Sequence, residues 1–170
     1  MDIVSGAVIG ILGSLVASAV WTRYLYRFRP NLKIIGVQYD REKKPRVIQV
    51  EVANLAKRYS VHNLQIEGAI IDADDYTYHF SVDRKEFLML GRACAEKSSS
   101  RTFALVGPAE SAKPHAKDMK AMLELLDDKN SLLRIRVRGE HEVTGFGKVI
   151  EQIFKKSSDD FVPIAISIPK

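Results

Sequence analysis

Cysteine is almost absent from this 170-residue chain, whose one thiol belongs to Cys94. A single cysteine excludes an intramolecular disulfide framework and any zinc site built from several cysteines. Common enzyme motifs are missing as well, because the sequence has no H-E-x-x-H, no glycine-rich phosphate loop and no serine nucleophile elbow. We therefore expect neither an enzyme nor a cofactor. The length suits one domain with a short extension.

Charge is absent from residues 3–21, IVSGAVIGILGSLVASAVW. At about 1.5 Å per residue this segment forms a helix of about 28 Å, close to the ~30 Å hydrocarbon core of a bilayer. We predict a single N-terminal transmembrane helix in residues 1–29 and a β domain in residues 30–170. Two alternatives stay open. One is a cleavable signal peptide ending near Ala17-Ser18-Ala19, although a basic start is missing, and the other is a buried core helix.

Aromatic and basic side chains follow the apolar segment, as is typical where a helix leaves lipid for the headgroups. The predicted membrane-interface residues are Trp21, Arg23, Tyr24, Arg27 and Arg29. Residues 22–58 contain ten Lys/Arg and three acids, a net charge of +7, which leaves −2 for the rest of the +5 chain. By the positive-inside rule, we expect the C-terminal domain in the cytoplasm at a cell membrane, in the first instance a bacterial inner membrane. Membrane lipids, rather than nucleic acid, are the expected partners of this basic segment.

Small residues recur every four positions in the apolar segment, at Gly6, Gly10, Ser14 and Ser18. On a helix they form one narrow stripe, and such stripes allow two helix backbones to approach closely. We interpret the stripe as a helix-association surface, which makes a homo-oligomer the expected assembly. The alternative is a chance pattern, since glycine and serine are common in membrane helices.

The rest of the chain has the two-residue apolar period of β-strands, as in the alternation of Ile48, Val50 and Val52. We predict strands over residues 32–37, 46–52, 62–71, 76–82, 86–90, 102–106, 132–138 and 160–166. Helical spacing of apolar residues predicts short helices over residues 114–127 and 147–156. The spacing is typical of an immunoglobulin-like β-sandwich. The predicted fold is therefore mainly β, with the N-terminal transmembrane helix followed by a sandwich that has one or two short helices.

Three patches resemble the cytoplasmic domain of inward-rectifier potassium channels. They are VIQVEVANLAKRYSVHNLQIEGAIID over residues 47–72, FALVGP over residues 103–108, and LRIRVRGEHEVTG over residues 133–145, where Gly139, Glu142, Thr144 and Gly145 match an E-G-x-x-E-x-T-G pattern. The resemblance covers roughly residues 47–165. It implies an immunoglobulin-like (E-set) domain that assembles around an axis below a membrane. Potassium conduction is not implied, because the sequence lacks a pore helix and a selectivity filter.

Arginine alternates with apolar residues at Arg134, Arg136 and Arg138. In a strand these side chains share one face about 6.5–7 Å apart. Such a row can bind phosphate or carboxylate, with a nucleotide or lipid headgroup as the fitting small anionic ligand. The alternative is ion pairing with acidic residues of neighbouring strands. The histidines, His62, His79, His115 and His141, have no metal-ligand spacing, so no metal site is expected.

These observations predict a membrane-anchored, self-associating effector or sensor. Its β domain would bind an unidentified protein or small anionic ligand, and its clustered helices would perturb the bilayer or form a pore, as in a bacterial defence system. The alternative is a tethered scaffold subunit whose helix only anchors a recruiting domain. A third, weaker hypothesis is an enzyme that acts on a lipid or a nucleotide.

Overall fold

A computed structural model describes residues 3–26, 29–40, 47–74, 76–82, 88–93, 99–109, 118–127, 130–157 and 160–164. Among these residues the chain forms two helices and nine strands. The helices are α1 (Ile3–Tyr26) and α2 (Met119–Asp127). The strands are β1 (Leu32–Asp40), β2 (Val47–Asn54), β3 (Val61–Ile71), β4 (Thr77–Val82), β5 (Leu88–Leu90), β6 (Ser99–Pro108), β7 (Leu132–His141), β8 (Gly147–Ser157) and β9 (Asp160–Ile164).

The strands form one antiparallel sheet that closes on itself. Its order is β4-β6-β2-β1-β9-β8-β7-β3, and a further pairing between β3 and β4 closes the ring of eight strands into a barrel. The ninth strand, β5, pairs with the opposite end of β3. The contact between β1 and β9 is the shortest in the ring, with one registered pair, Gln38 and Asp160.

The inward positions of the strands fill the barrel with aliphatic side chains. Ile48, Val50 and Val52 on β2 are each 0% exposed, as the alternation predicts. On β7 the inward residues Leu133, Ile135 and Val137 are also 0% exposed. The β-branched residues among them suit this role because they pack well on a pleated surface.

Helix α2 packs its apolar face onto one end of this core. Its buried residues, Met119, Met122, Leu123 and Leu126, have the spacing of one helix face. Asp118 begins the helix by accepting a hydrogen bond at Oδ1 from the Ala121 N–H at 2.8 Å. This helix confirms the second half of the helix predicted over residues 114–127, whose residues 114–117 lie outside the described residues.

The predicted immunoglobulin-like sandwich is wrong, because the strands close into a single barrel instead of stacking as two sheets. The helix predicted over residues 147–156 is also wrong. This segment is strand β8, which pairs with β7 on one side and β9 on the other. Its helical spacing arose because Val149 lies on the outer face, 56% exposed, while Phe154 lies inside, 3% exposed. Strand β8 is part of the closed ring, so the prediction of a helix here also led to the wrong architecture.

The prediction of a transmembrane helix is wrong as well. In the part of the chain that the structure describes, no helix is both long and apolar enough to cross a membrane. The side chains described in α1 are those of residues 8–24.

Candidate functional site

Helix α1 presents large apolar side chains on every side. Their exposed fractions range from 49% to 64%, for Val8, Ile9, Ile11, Leu12, Leu15, Val16, Val20, Trp21 and Tyr24. At 100° per residue these positions surround the helix axis. A helix that is apolar all round is normally buried in its functional setting. The surface of α1 is therefore the first candidate functional site.

The predicted small-residue stripe lies on this helix. A side chain added at Gly10 would meet no other atom within 4 Å, so the stripe is open to a partner there. The Ser14 hydroxyl donates a hydrogen bond to the Ile11 carbonyl oxygen at 2.8 Å. Because this hydroxyl is satisfied within the helix, burying it against a partner leaves no donor unpaired. Ser18 is exposed, and the side-chain surroundings of Gly6 lie outside the description.

The predicted membrane-interface residues lie at the C-terminal end of α1 and just beyond it. The Trp21 and Tyr24 rings stack with centroids 5.7 Å apart and an interplanar angle of 24°. Arg23 and Arg29 are exposed, and Arg27 lies outside the described residues. Aromatic and cationic groups are thus adjacent where the apolar helix ends.

The three arginines of β7 share the outer face of the barrel, as predicted, and two of them, Arg136 and Arg138, lie beside carboxylates. The Nε and Nη2 atoms of Arg136 donate to Glu151 Oε2 on β8, at 2.9 and 2.8 Å. Arg136 Nη1 also lies 3.9 Å from Glu67 Oε2 on β3. Arg138 makes a longer contact, 3.4 Å from its Nη2 to Glu140 Oε1 on the same strand. Arg134 is half-buried, between Ala69 of β3 and Ile153 of β8.

A shallow recess of about 360 Å³ follows this face, lined by Gln65, Glu67, Arg136, Arg138, Val149 and Glu151. Its two guanidinium and two carboxylate groups balance in charge. An anion that binds here competes with Glu151 for Arg136, whereas Arg138 has more of its five N–H donors available among the described contacts. Arg138 is therefore the strongest candidate anion ligand in the row.

A second polar cluster, which motif reasoning missed, lies where β7 ends and β3 begins. His141 is 3% exposed, and its ring lies edge-on to Tyr59 with centroids 4.5 Å apart. Burial lowers the pKa of His141, although Glu142 acts in the opposite direction. Hydrogen bonding from the Ser60 backbone lowers the pKa of Glu142, which lies 3.6 Å from His62 Nε2. The alternation of β7 was the available signal, because it places residue 141 inside.

The same end of the barrel contains a fully buried asparagine. The Asn54 side chain donates hydrogen bonds to the carbonyl oxygens of Tyr59, at 2.8 Å, and Gly91, at 3.0 Å. Its Oδ1 accepts from the Ala56 N–H at 3.0 Å. The Asn54 side chain therefore links the end of β2 to the loop that contains Ala56 and Tyr59 and to Gly91. The backbone of Asn54 is paired with Leu32, the first residue of β1.

The other histidines are not part of this cluster. His79 is exposed on β4, and His115 lies outside the described residues, as does Cys94. No known family model matches the chain, and no curated protein sequence matches it either. The likeness to the inward-rectifier domain therefore stays a prediction, and the functional argument depends on the surfaces described above.

Proposed function

We propose that this chain is a self-associating binding protein, in which α1 assembles several copies and the barrel binds a protein or a small anionic ligand. The observation that carries the proposal is the exposed apolar surface of α1, where residues such as Ile9, Val16 and Val20 are 63–64% exposed. Full burial of an aliphatic side chain of this size contributes about 1.5–3 kcal/mol. Several such side chains on each copy give a strong driving force for association.

The distribution of these side chains favours more than two copies. In a helix pair, each helix covers only the facing side of the other, and the opposite side keeps its contact with water. Val16 and Trp21 point in directions about 140° apart on α1, and both are exposed. A bundle of three or more helices covers both directions. We therefore expect an oligomer larger than a dimer.

The experiment is the mass of the full-length protein in solution, measured by light scattering, for wild type and two matched variants. Val16→Glu places a charge on α1 at a residue 63% exposed, and Val162→Glu makes the same change on β9 at a residue 51% exposed. We expect a large wild-type oligomer, smaller species for Val16→Glu, and no change for Val162→Glu. A monomeric wild type would contradict the proposal, and so would an equal effect of both variants.

Lipid is the second candidate cover for α1, and the stacked Trp21–Tyr24 pair beside Arg23 favours it. Amphipathic aromatics and arginines are typical of groups that contact lipid headgroups. If lipid covers α1, the protein is localised at a cell membrane and the effector acts by disturbing the bilayer. Flotation of the full-length protein with vesicles of anionic and zwitterionic phospholipid tests it, because protein that stays at the bottom of the gradient does not bind lipid.

The two proposed roles, effector and scaffold, differ in whether binding at the barrel is coupled to the assembly of α1. In an effector or sensor, ligand binding at the barrel alters the assembly of α1. In a scaffold subunit, the barrel recruits a partner whatever the state of α1. Replacement of residues 1–29 by an unrelated association helix separates them, since a scaffold keeps its recruitment and an effector loses its response.

A further inference from the structure

The side chain of His141 closes the turn that joins β7 to β8. Its Nδ1 accepts hydrogen bonds from the backbone N–H groups of Val143 and Thr144, both at 3.2 Å. The backbone of His141 belongs to the same turn: its N–H donates to the Phe146 carbonyl oxygen at 3.0 Å, and its own carbonyl oxygen accepts from the Gly145 N–H at 3.0 Å. The turn is thus organised around one residue.

This arrangement requires a neutral imidazole. Two N–H donors point at Nδ1, so the ring proton lies on Nε2. Protonation of Nδ1 would turn the acceptor into a third donor and break both bonds to Val143 and Thr144. The buried position of the ring, 3% exposed against Tyr59, adds a desolvation cost to the charged form.

The charged and titratable groups near this ring come from three parts of the chain. Glu142, the next residue, favours the imidazolium, but its carboxylate is engaged by Ser60 and lies 3.6 Å from His62 of β3. Glu140 of β7 is bound to the Asn63 amide at 2.7 Å and to Arg138 at 3.4 Å. Tyr59 faces the ring with its edge. Both carboxylates therefore have partners of their own, and of the two Glu142 is the one whose charge still favours a charged His141.

We infer that the turn over residues 142–146 is an acid-operated latch: protonation of His141 releases it and loosens the adjoining ends of β7 and β8. The latch lies at the end of the barrel that follows α1. A Cβ atom placed on Gly139 would lie 2.9 Å from Leu32, the first residue of β1, which shows how closely β7 approaches that strand. The inference stands on the geometry of the turn and does not depend on the proposed self-association.

The direction of the pH effect follows from linkage. The folded pKa of His141 lies below its ordinary value of 6.5, so the unfolded chain and the open turn bind the proton more readily. The closed turn is therefore fully favoured above about pH 6.5, and this preference is lost as the pH falls through 6.5 towards the folded pKa. With one proton taken up, the opening equilibrium rises roughly tenfold per pH unit in that window.

The test is amide hydrogen exchange of the full-length protein at pH 7.5 and pH 5.5, corrected for intrinsic exchange. At the lower pH we expect the opening equilibrium of the Val143 and Thr144 amides to rise by up to about tenfold in wild type. In His141→Asn, Oδ1 replaces the Nδ1 acceptor but does not titrate, so these amides should be protected equally at both pH values. His79→Asn removes an exposed histidine of β4 and should behave like wild type.

Equal protection of these amides at the two pH values in wild type would overturn the latch. A pH response retained in His141→Asn would overturn it too, because a different group would then be titrating. If His141→Asn does not fold, nitrogen NMR of the wild-type ring decides the matter. An Nδ1 that carries the proton at pH 7.5, or a ring that titrates independently of the Val143 and Thr144 amides, refutes the inference.

Discussion

Gly139 is a position where the core of the barrel leaves no room for a side chain. It points inward from β7, and an added Cβ would lie 2.5 Å from Val61 Cγ1 and 2.9 Å from Leu32 Cδ1. Both neighbours are almost fully buried, with 1% and 4% of their surface exposed, so their methyl groups cannot turn out to solvent. We expect Gly139→Ala to lower the free energy of unfolding by about 1–3 kcal/mol, the typical cost of overpacking.

Gly107 provides the matched control. It is also an inward strand residue, on β6, but an added Cβ would meet nothing within 4 Å. Because alanine reduces the conformational freedom of the unfolded chain, Gly107→Ala should be neutral or should raise stability by about 0.4–1 kcal/mol. The two variants share the chemical change and differ in the space around it.

The assay is urea unfolding of the full-length protein for both glycine variants, for Val61→Ala, and for Gly139→Ala combined with Val61→Ala. In a parallel thermal unfolding experiment, the overpacking cost corresponds to a fall in Tm of roughly 2–12 °C. Removing Val61 Cγ1 should recover part of that cost, with a coupling of about 0.5–3 kcal/mol between the two positions. Equal stability of the two glycine variants would refute the reasoning. So would strict additivity of Gly139→Ala and Val61→Ala, since the clash would then lie elsewhere.

Two further predictions concern the polar residues. Asn54→Ala should cost about 2–4 kcal/mol in urea unfolding, because it leaves two carbonyl oxygens and one N–H without their partner at a site that is 0% exposed; a cost below 0.5 kcal/mol would show that water replaces the amide. Arg138→Gln should abolish the chemical-shift changes that inorganic phosphate produces at the recess, while Arg101→Gln, on the outer face of β6, should retain them. Phosphate shifts that survive in Arg138→Gln would exclude Arg138 as the anion ligand.

Most strands could be predicted from the sequence because their pattern is local. The alternation of Leu133, Ile135 and Val137 with three arginines places the apolar residues inside without knowledge of any neighbour. The spacing of Met119, Met122, Leu123 and Leu126 likewise predicts one buried face of α2. In both cases the side-chain period alone decides which face is buried.

The closed barrel could not be predicted in this way, because closure depends on contacts distant in sequence. It requires β9 to reach β1, at Gln38 and Asp160, and β3 to pair with β7, where Gly68 lies opposite Ile135. Strand β8 shows the difficulty. Two of its outward positions carry the apolar residues Val149 and Ile153, which disturbs the period of two and imitates that of a helix.

The arginine row shows the same division between local and distant information. The sequence places the guanidinium groups on one face, whereas the strand register decides what lies beside them. Arg136 is directly opposite Glu67 on β3 and Glu151 on β8, and this pairing turns a possible anion site into a ladder of ion pairs. At Arg138 the register places Gln65 and Val149 instead, which leaves that guanidinium accessible. Two positions along β7 therefore separate an arginine paired with carboxylates from a candidate anion ligand.

The two ends of the barrel are built from different interactions, which makes them respond differently to a change in conditions. One end is covered by the apolar face of α2, whose four buried side chains contain no titratable group. The other end, where β1 follows α1, contains the buried polar residues Asn54 and His141. Each hydrogen bond at such a site is either formed or broken, and those that His141 accepts are broken when its Nδ1 is protonated. A change that starts in the barrel and reaches α1 is therefore expected to pass through this polar end.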